Sequence, residues 1–364
     1  MRGLIWEGAT SPAVQRIGIP ETADGTGPAG HLGAYRARDG SAGVGVAVDV
    51  SRPHVKLVVG KRGTGKSYTL GVLAESLARA DGIAPVVADP MGVFGGLTAA
   101  ADGTPVPAAV VEPAVRADAI PPPAWCDLLG LSPESGAGAL VWQAADAAET
   151  LAGMREFVAD ARVADATRRA AANHLRLAGS WDVFDPAGLD GGTLCSGRAT
   201  VLDLAGVDAA PANAVVGAVA RSLYRTRIGD PATDRLPWLL VDEAHAFFDG
   251  IAARALRRLL TRGRGPGVSL VAATQRPAAL PDVAVSQADL LVAHRLTGRP
   301  DREALSAARP AYASESLLAR MPARPGEALV VDDATERVHE IRVRERDTPH
   351  RGESPRGTDG TDVS

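Results

Sequence analysis

A chain of 364 residues, 46% hydrophobic, 23% charged and 4% aromatic, has the composition of a globular protein with an Ala, Gly and Val interior, which excludes a fibrous or wholly disordered polymer. Its 39 basic and 43 acidic side chains leave a net charge of −4, so no global positive field draws nucleic acid, and any such contact must be local. Only three of the cations are lysines, Lys56, Lys61 and Lys66, all in one short segment, so against an arginine-rich background a retained lysine carries information. Cys126 and Cys195 form no C-x-x-C spacing, which argues against a metal or disulfide framework and fits a reducing, cytoplasmic compartment. No apolar run reaches the ~18 residues of a membrane span, and Glu7 interrupts the start where a signal peptide needs an apolar stretch.

In chain order, residues 1–45 are rich in Gly and Pro, with short apolar stretches at Ala13 to Ile19 and Val44 to Val50 that read as a small β element. From Val55 onward the pattern alternates: a strand Val55 to Val59, a helix Lys66 to Ala80, then strands Ala84 to Ala88 and Ala108 to Val111. Pro121, Pro122 and Pro123 break the chain, and Pro133 to Leu177 reads as helical, giving a helical insertion at about 121–190. Strands return at Thr200 to Leu204, Trp238 to Val241, Val268 to Ala273 and Leu290 to Ala293, with a helix Pro211 to Arg227 between the first two. Gly326 to Val331 and Val338 to Val343 read as a closing pair, and 346–364 as a disordered tail. The alternation predicts an α/β domain over 46–345 with a mainly parallel sheet.

Gly60-Lys61-Arg62-Gly63-Thr64-Gly65-Lys66-Ser67 fits G-x-x-x-x-G-K-[ST] between a strand and a helix. Its backbone N–H groups and the helix N-terminus are expected to face the phosphates of ATP, with Lys66 on the β- and γ-phosphates, Ser67 on Mg²⁺, and Tyr68 directly after. The strand Trp238 to Val241 ends in Asp242-Glu243: Asp242 is placed to hold Mg²⁺ and Glu243 to activate the attacking water. Gln275 ends the next strand as a candidate γ-phosphate sensor. Arg254, Arg257 and Arg258, spaced i, i+3, i+4, share a helix face that either contacts phosphates or is merely solvated. Arg264, with Arg262 behind it, is a candidate arginine finger reaching a neighbouring subunit's site. His245 and His294 are read as hydrogen-bonded structural residues.

These motifs, together with Asp89-Pro90-Met91-Gly92-Val93-Phe94, Val201-Leu202-Asp203-Leu204, Asp242-Glu243-Ala244-His245 and Thr274-Gln275-Arg276-Pro277, resemble the HerA/FtsK superfamily of P-loop ATPases, HerA-like members above all. The resemblance spans about 48–345 and implies a RecA-like core, a hexameric ring and ATP-driven movement of double-stranded DNA through a channel. HerA proteins also carry a β-barrel before the motor and couple to a nuclease; residues 1–45 are short for an independent barrel. Compact superfamily members include DNA-packaging and mobile-element or viral ATPases. The residues also leave open a secretion or assembly ATPase that acts on protein or membrane partners.

Overall fold

The computed structural model describes residues 14–19, 25–37, 41–230, 235–307 and 320–350. Its centre is one sheet of 12 strands. In chain order they are β1 (Gln15–Ile17), β2 (Ala29–Arg36), β3 (Ala42–Asp49), β4 (Val55–Val59), β5 (Ile83–Asp89), β6 (Ala108–Val111), β7 (Ala199–Asp203), β8 (Leu236–Val241), β9 (Ser269–Thr274), β10 (Leu290–Ala293), β11 (Glu327–Asp332) and β12 (Arg337–Val343). They lie side by side as β1-β3-β2-β12-β11-β10-β4-β9-β8-β5-β7-β6. Every pairing from β10 to β6 is parallel, the pattern that the alternating strands and helices predict. Beyond β10 the sheet continues antiparallel through β11, β12, β2 and β3, with β1 added parallel to β3.

Buried strands carry apolar side chains on both faces. Along β4, Leu57 and Val59 enter the core under one helical layer while Val58 enters the other. One face is covered by α1 (Lys66–Arg79). The other is covered by the insertion helices α2 (Pro122–Leu128), α3 (Gly136–Ala147), α4 (Leu151–Asp160), α5 (Asp165–Gly179) and α6 (Gly191–Leu194), with α7 (Ala209–Gly229), α8 (His245–Phe248) and α9 (Ala253–Arg262). α10 (Asp282–Ser286) and α11 (Arg299–Ala307) follow near the last parallel strands.

Three features differ from the sequence reading. The single helical stretch Pro133 to Leu177 is three helices, because Ser135 and Thr150 each accept a hydrogen bond from the backbone three residues on and start a new helix. Strand β2 was hidden by its glycines and by alternation too weak to read, and the N-terminal strands extend the central sheet rather than standing apart. The tail expected from residue 346 is packed as far as His350: Arg346 and Thr348 are buried, while 351–364 and the chain start before Val14 lie outside the described residues.

What fixes the segment after β12 is Glu75 on α1, fully buried. Its carboxylate pairs with Arg344 at 2.9 Å and Arg346 at 3.4 Å, and accepts from the Thr348 hydroxyl at 2.5 Å and backbone N–H at 2.9 Å. Against the cost of burial, the Thr348 hydrogen bonds and the Arg344 charge hold Glu75 below the usual carboxylate range. A second buried ion sits at the opposite end of the sheet. Lys56, 1% exposed, donates to the Asp49 carbonyl at 3.2 Å and lies 4.4 Å above the Trp238 ring, tying β3 to the core. Burial pulls its ammonium down to about 7.

Candidate active site

The phosphate-binding loop leaves the carboxyl end of β4 and is clamped from neighbouring strands. Lys61 N–H donates to the Arg295 carbonyl after β10, and Gly326 N–H, just before β11, donates to the Thr64 carbonyl. Within the loop, the Thr64 hydroxyl donates to the Lys61 carbonyl at 2.7 Å. Gly65 caps α1 at φ 114°, a conformation that disfavours a side chain, so α1 begins directly at Lys66 with its free N–H groups toward the loop. Gly60 is tighter still: a Cβ there would lie 2.6 Å from both His294 Cβ and Thr64 Oγ1.

His294, at the end of β10, locks the helix to the sheet. Its Nδ1 donates to the Glu327 carbonyl at 2.9 Å, which leaves Nε2 to accept from the Thr69 hydroxyl at 2.8 Å. The ring is wholly buried, and burial lowers its pKa to about 4. The sequence reading of His294 as a hydrogen-bonded structural residue holds, and the structure adds what it fixes.

Strand β9 lies between β4 and β8, with Thr274 level with Val59 and Ala272 level with Val241. Asp242 and Glu243 therefore emerge two strands away from the loop, and Gln275, after β9, emerges between the acidic pair and the loop. Asp242 is fully buried; one oxygen accepts from the Glu243 N–H at 2.9 Å, and Oδ2 has no hydrogen-bond partner among the described residues. Burial raises its pKa, opposed by the Ser67 side chain and the Glu243 N–H, so Ser67 and Asp242 face one another. Glu243 has φ 46°, the left-handed region that a β-carbon resists at a cost of about 1–3 kcal/mol. That turn aims its carboxylate back toward the loop, where Lys66 and Arg62 oppose the rise in pKa that burial imposes. Lys66 is itself lowered by burial, with Glu243 and Asp242 pulling the other way, and its Nζ rests on the Lys61 carbonyl at 3.3 Å.

His245 follows these two residues. Its Nδ1 is 3.2 Å from Thr274 Oγ1 and 3.3 Å from Glu243 Oε2, and burial, Arg276 and Lys66 keep the ring toward its neutral form. Thr274 Oγ1 in turn accepts from the Arg276 N–H at 3.0 Å, so the Asp-Glu-Ala-His and Thr-Gln-Arg-Pro stretches are joined through one imidazole.

A cavity of about 510 Å³ opens over the loop, and it takes in Arg62, Gly63, Gly65, Lys66, Ser67 and Tyr68. Glu243 closes one side. Met91 and Val93, from the Asp89 to Phe94 stretch, also line the cavity, together with residues that carry no signal in local sequence: Pro325 and Gly326, Val343 and His350. The Asp89-Pro90-Met91-Gly92-Val93-Phe94 stretch is shaped by buried Asp89, which accepts from the N–H groups of Met91, Val93 and Phe94. His350 meets the Tyr68 ring edge-on at 5.5 Å, while the Tyr68 hydroxyl accepts from the Arg346 N–H at 2.7 Å. The segment held by Glu75 thus ends at the nucleotide cavity.

The arginines do not converge there. Arg254 and Arg258 turn toward α7, whereas Arg257 lines a separate cavity of about 850 Å³ with His245 and Arg276, so the expected single face is divided. Arg264 lies at the amino end of the sheet and pairs with Asp289 beside the start of β4, away from the loop of its own chain. Arg262 is exposed at the end of α9.

A parallel sheet whose central strand ends in a strict phosphate-binding loop, with an acidic pair two strands over, defines a P-loop ATPase. Residues 31–185 match the family model of the helicase HerA central domain, and the chain's likeness to the HerA/FtsK superfamily holds. VirB4 of Thermoanaerobacter pseudethanolicus shares the fold at 17% identity and TM-score 0.60, over 88% of this chain and 97% of that one. The genome packaging NTPase B204 from Sulfolobus turreted icosahedral virus 2 aligns over 79% of this chain and 97% of its own at 12% identity and TM-score 0.43. The cytoplasmic domain of the Type VII secretion ATPase EccC from Thermomonospora curvata aligns over 86% and 28% at 15% identity and TM-score 0.40. No curated protein matches the sequence. Among the described residues, no helix is long and apolar enough to cross a membrane.

Proposed function

We propose that this ATPase is an Mg²⁺-dependent motor that moves or remodels DNA as an oligomeric ring, with double-stranded DNA as the substrate and a hexamer as the working form. The HerA helicase family match is the observation that carries the reading. Lys66 and the loop N–H groups, from Gly60 to Ser67, hold the β- and γ-phosphates. Glu243 accepts the proton of the attacking water; its raised pKa and strained backbone suit a base placed by the fold. Gln275, between Glu243 and the loop, senses the γ-phosphate, and His245, paired with Thr274 at the end of the same strand, stands 3.3 Å from Glu243 Oε2.

The residues present fit Mg²⁺. Asp242 offers a buried, unpartnered carboxylate oxygen and Ser67 a facing hydroxyl, the hard-oxygen set that the ion takes alongside phosphates. When bound, the ion neutralises charge on the β- and γ-oxygens. Arg264 completes a neighbouring subunit's site only if the ring apposes the amino end of one sheet to the loop of the next. The helical insertion 121–190 is one unit on the face opposite α1, and a nuclease or mobile-element partner remains part of the reading that the family suggests.

The test is ATP turnover with and without duplex DNA. DNA stimulation that falls with rising salt supports the motor on DNA. Turnover indifferent to any nucleic acid refutes it and favours an assembly ATPase acting on protein partners, a reading consistent with the net charge of −4.

A further inference from the structure

On the face opposite α1, two helices aim like charges at each other. Arg221 and Arg225 stand four residues apart on α7, and Arg254 and Arg258 four apart on α9. Like charges at this spacing destabilise a helix, and here two such pairs converge. They line one pocket of about 310 Å³, rimmed by Pro121 and Pro123. Arg221 Nε is buried without a hydrogen-bond partner among the described residues. Burial first, then Arg225, Arg258 and Arg254, push the Arg221 guanidinium down to about 10.

Among the described residues, none of the four arginines forms an ion pair. Asp118, which feels the charge of Arg225, is held through both oxygens by Arg116 at 2.9 and 2.7 Å. Arg258 Cζ lies 5.6 Å over the Tyr224 ring, and both residues line the pocket. Packing alone gives no reason to gather four guanidiniums, one of them partly buried, around an open cavity. An anion would supply one, since guanidinium forks match phosphate oxygens two at a time.

We propose that the pocket of Arg221, Arg225, Arg254 and Arg258 is a second anion site, distinct from the phosphate-binding loop, that takes clustered phosphate groups. Two sources share this chemistry: the backbone of a nucleic acid, which rests on the motor reading above, and the polyphosphate of a nucleotide, which does not.

The experiment uses the full chain carrying Lys66→Ala, which removes the loop's phosphate ligand and leaves the pocket. Thermal stabilisation by inorganic tripolyphosphate and the salt dependence of binding to a labelled DNA duplex are measured with and without R254A/R258A. Each phosphate contact contributes about 0.9 to the slope of log K against log[salt], so loss of two lowers the slope by about 1.8. Lost tripolyphosphate stabilisation with that smaller slope supports the pocket with a nucleic-acid backbone as its source. Lost stabilisation with an unchanged slope supports it with a nucleotide polyphosphate. Stabilisation and slope both retained overturn the inference. Both side chains are exposed on α9, and removing them relieves repulsion, so the ligand-free midpoint stays level or rises; a fall overturns the ligand role in favour of a structural one. R254K/R258K keeps the charge and is expected to keep the wild-type slope. DNA-stimulated turnover in the chain without Lys66→Ala reports on the motor reading separately, so either idea can fail alone.

Discussion

Acidification lowers the stability of the fold through His294, the imidazole beside the phosphate-binding loop. Its folded pKa of about 4 lies below the ordinary histidine value of 6.5, so between those limits the unfolded chain binds the proton that the folded chain refuses. Stability from this group is complete above about pH 6.5 and is lost as pH falls toward 4. At 1.36 kcal/mol per unit, the loss reaches about 2.5 kcal/mol by pH 4.5. Urea unfolding from pH 7.5 to 4.5 of wild type and His294→Asn isolates this contribution from the carboxylates, which titrate in both. The variant is less stable at pH 7.5, and the gap closes by roughly 2 kcal/mol toward pH 4.5. A gap that is constant across the range refutes the buried neutral imidazole. Because folded His294 stays neutral down to about pH 4, Nε2 keeps its hold on Thr69 of α1 over this interval, and nucleotide affinity of the folded protein should not change through this group.

Four substitutions test other parts of the molecule. Glu243→Gln should leave nucleotide binding intact and cut turnover by about 10²–10⁴-fold in a steady-state assay; normal hydrolysis removes Glu243 from its role. Gly60→Ala forces a methyl against His294 and Thr64 and should cost about 1–3 kcal/mol in chemical denaturation together with most nucleotide binding. Glu75→Ala leaves Arg346, 1% exposed, without its partner and should destabilise by about 3–5 kcal/mol, with early proteolysis after β12 as an independent readout. His350→Ala removes an aromatic edge from the cavity, so the KM for ATP should rise about threefold to tenfold while competitive inhibition by tripolyphosphate, which has no base, stays unchanged.

What the sequence made legible was whatever a single stretch of chain determines. The loop Gly60 to Ser67 is set by spacing between one strand and one helix, and the parallel strands from β4 to β10 announce themselves as apolar runs between turns. Asp242 and Glu243 could be placed because a strand end and the switch to a helix fix their level. His350, Val343 and Pro325 line the same cavity, but nothing near them in sequence says so, since they arrive through β11 and β12 on the far side of β10. Lys56 reads as an oddity in an apolar strand until the Asp49 carbonyl and the Trp238 ring are seen around it. Composition labels residues from 346 onward as a tail because it registers polar side chains and cannot register that Glu75, 273 residues earlier, satisfies Thr348.

That last pairing bears on how the protein comes into being. As the chain leaves the ribosome, α1 is made early with a carboxylate on its inward face, and the groups that neutralise it at Arg344 and Thr348 appear some 270 residues later. Gly18 likewise waits for Asp332, 314 residues away, and β2 for β12. Such distant closures make folding slow and leave little of the sheet able to assemble in part. A truncated product therefore keeps its phosphate loop in sequence but has no finished cleft in which to trap ATP. Catalytic competence therefore waits on translation through the 340s, whose residues must dock before the cleft is finished.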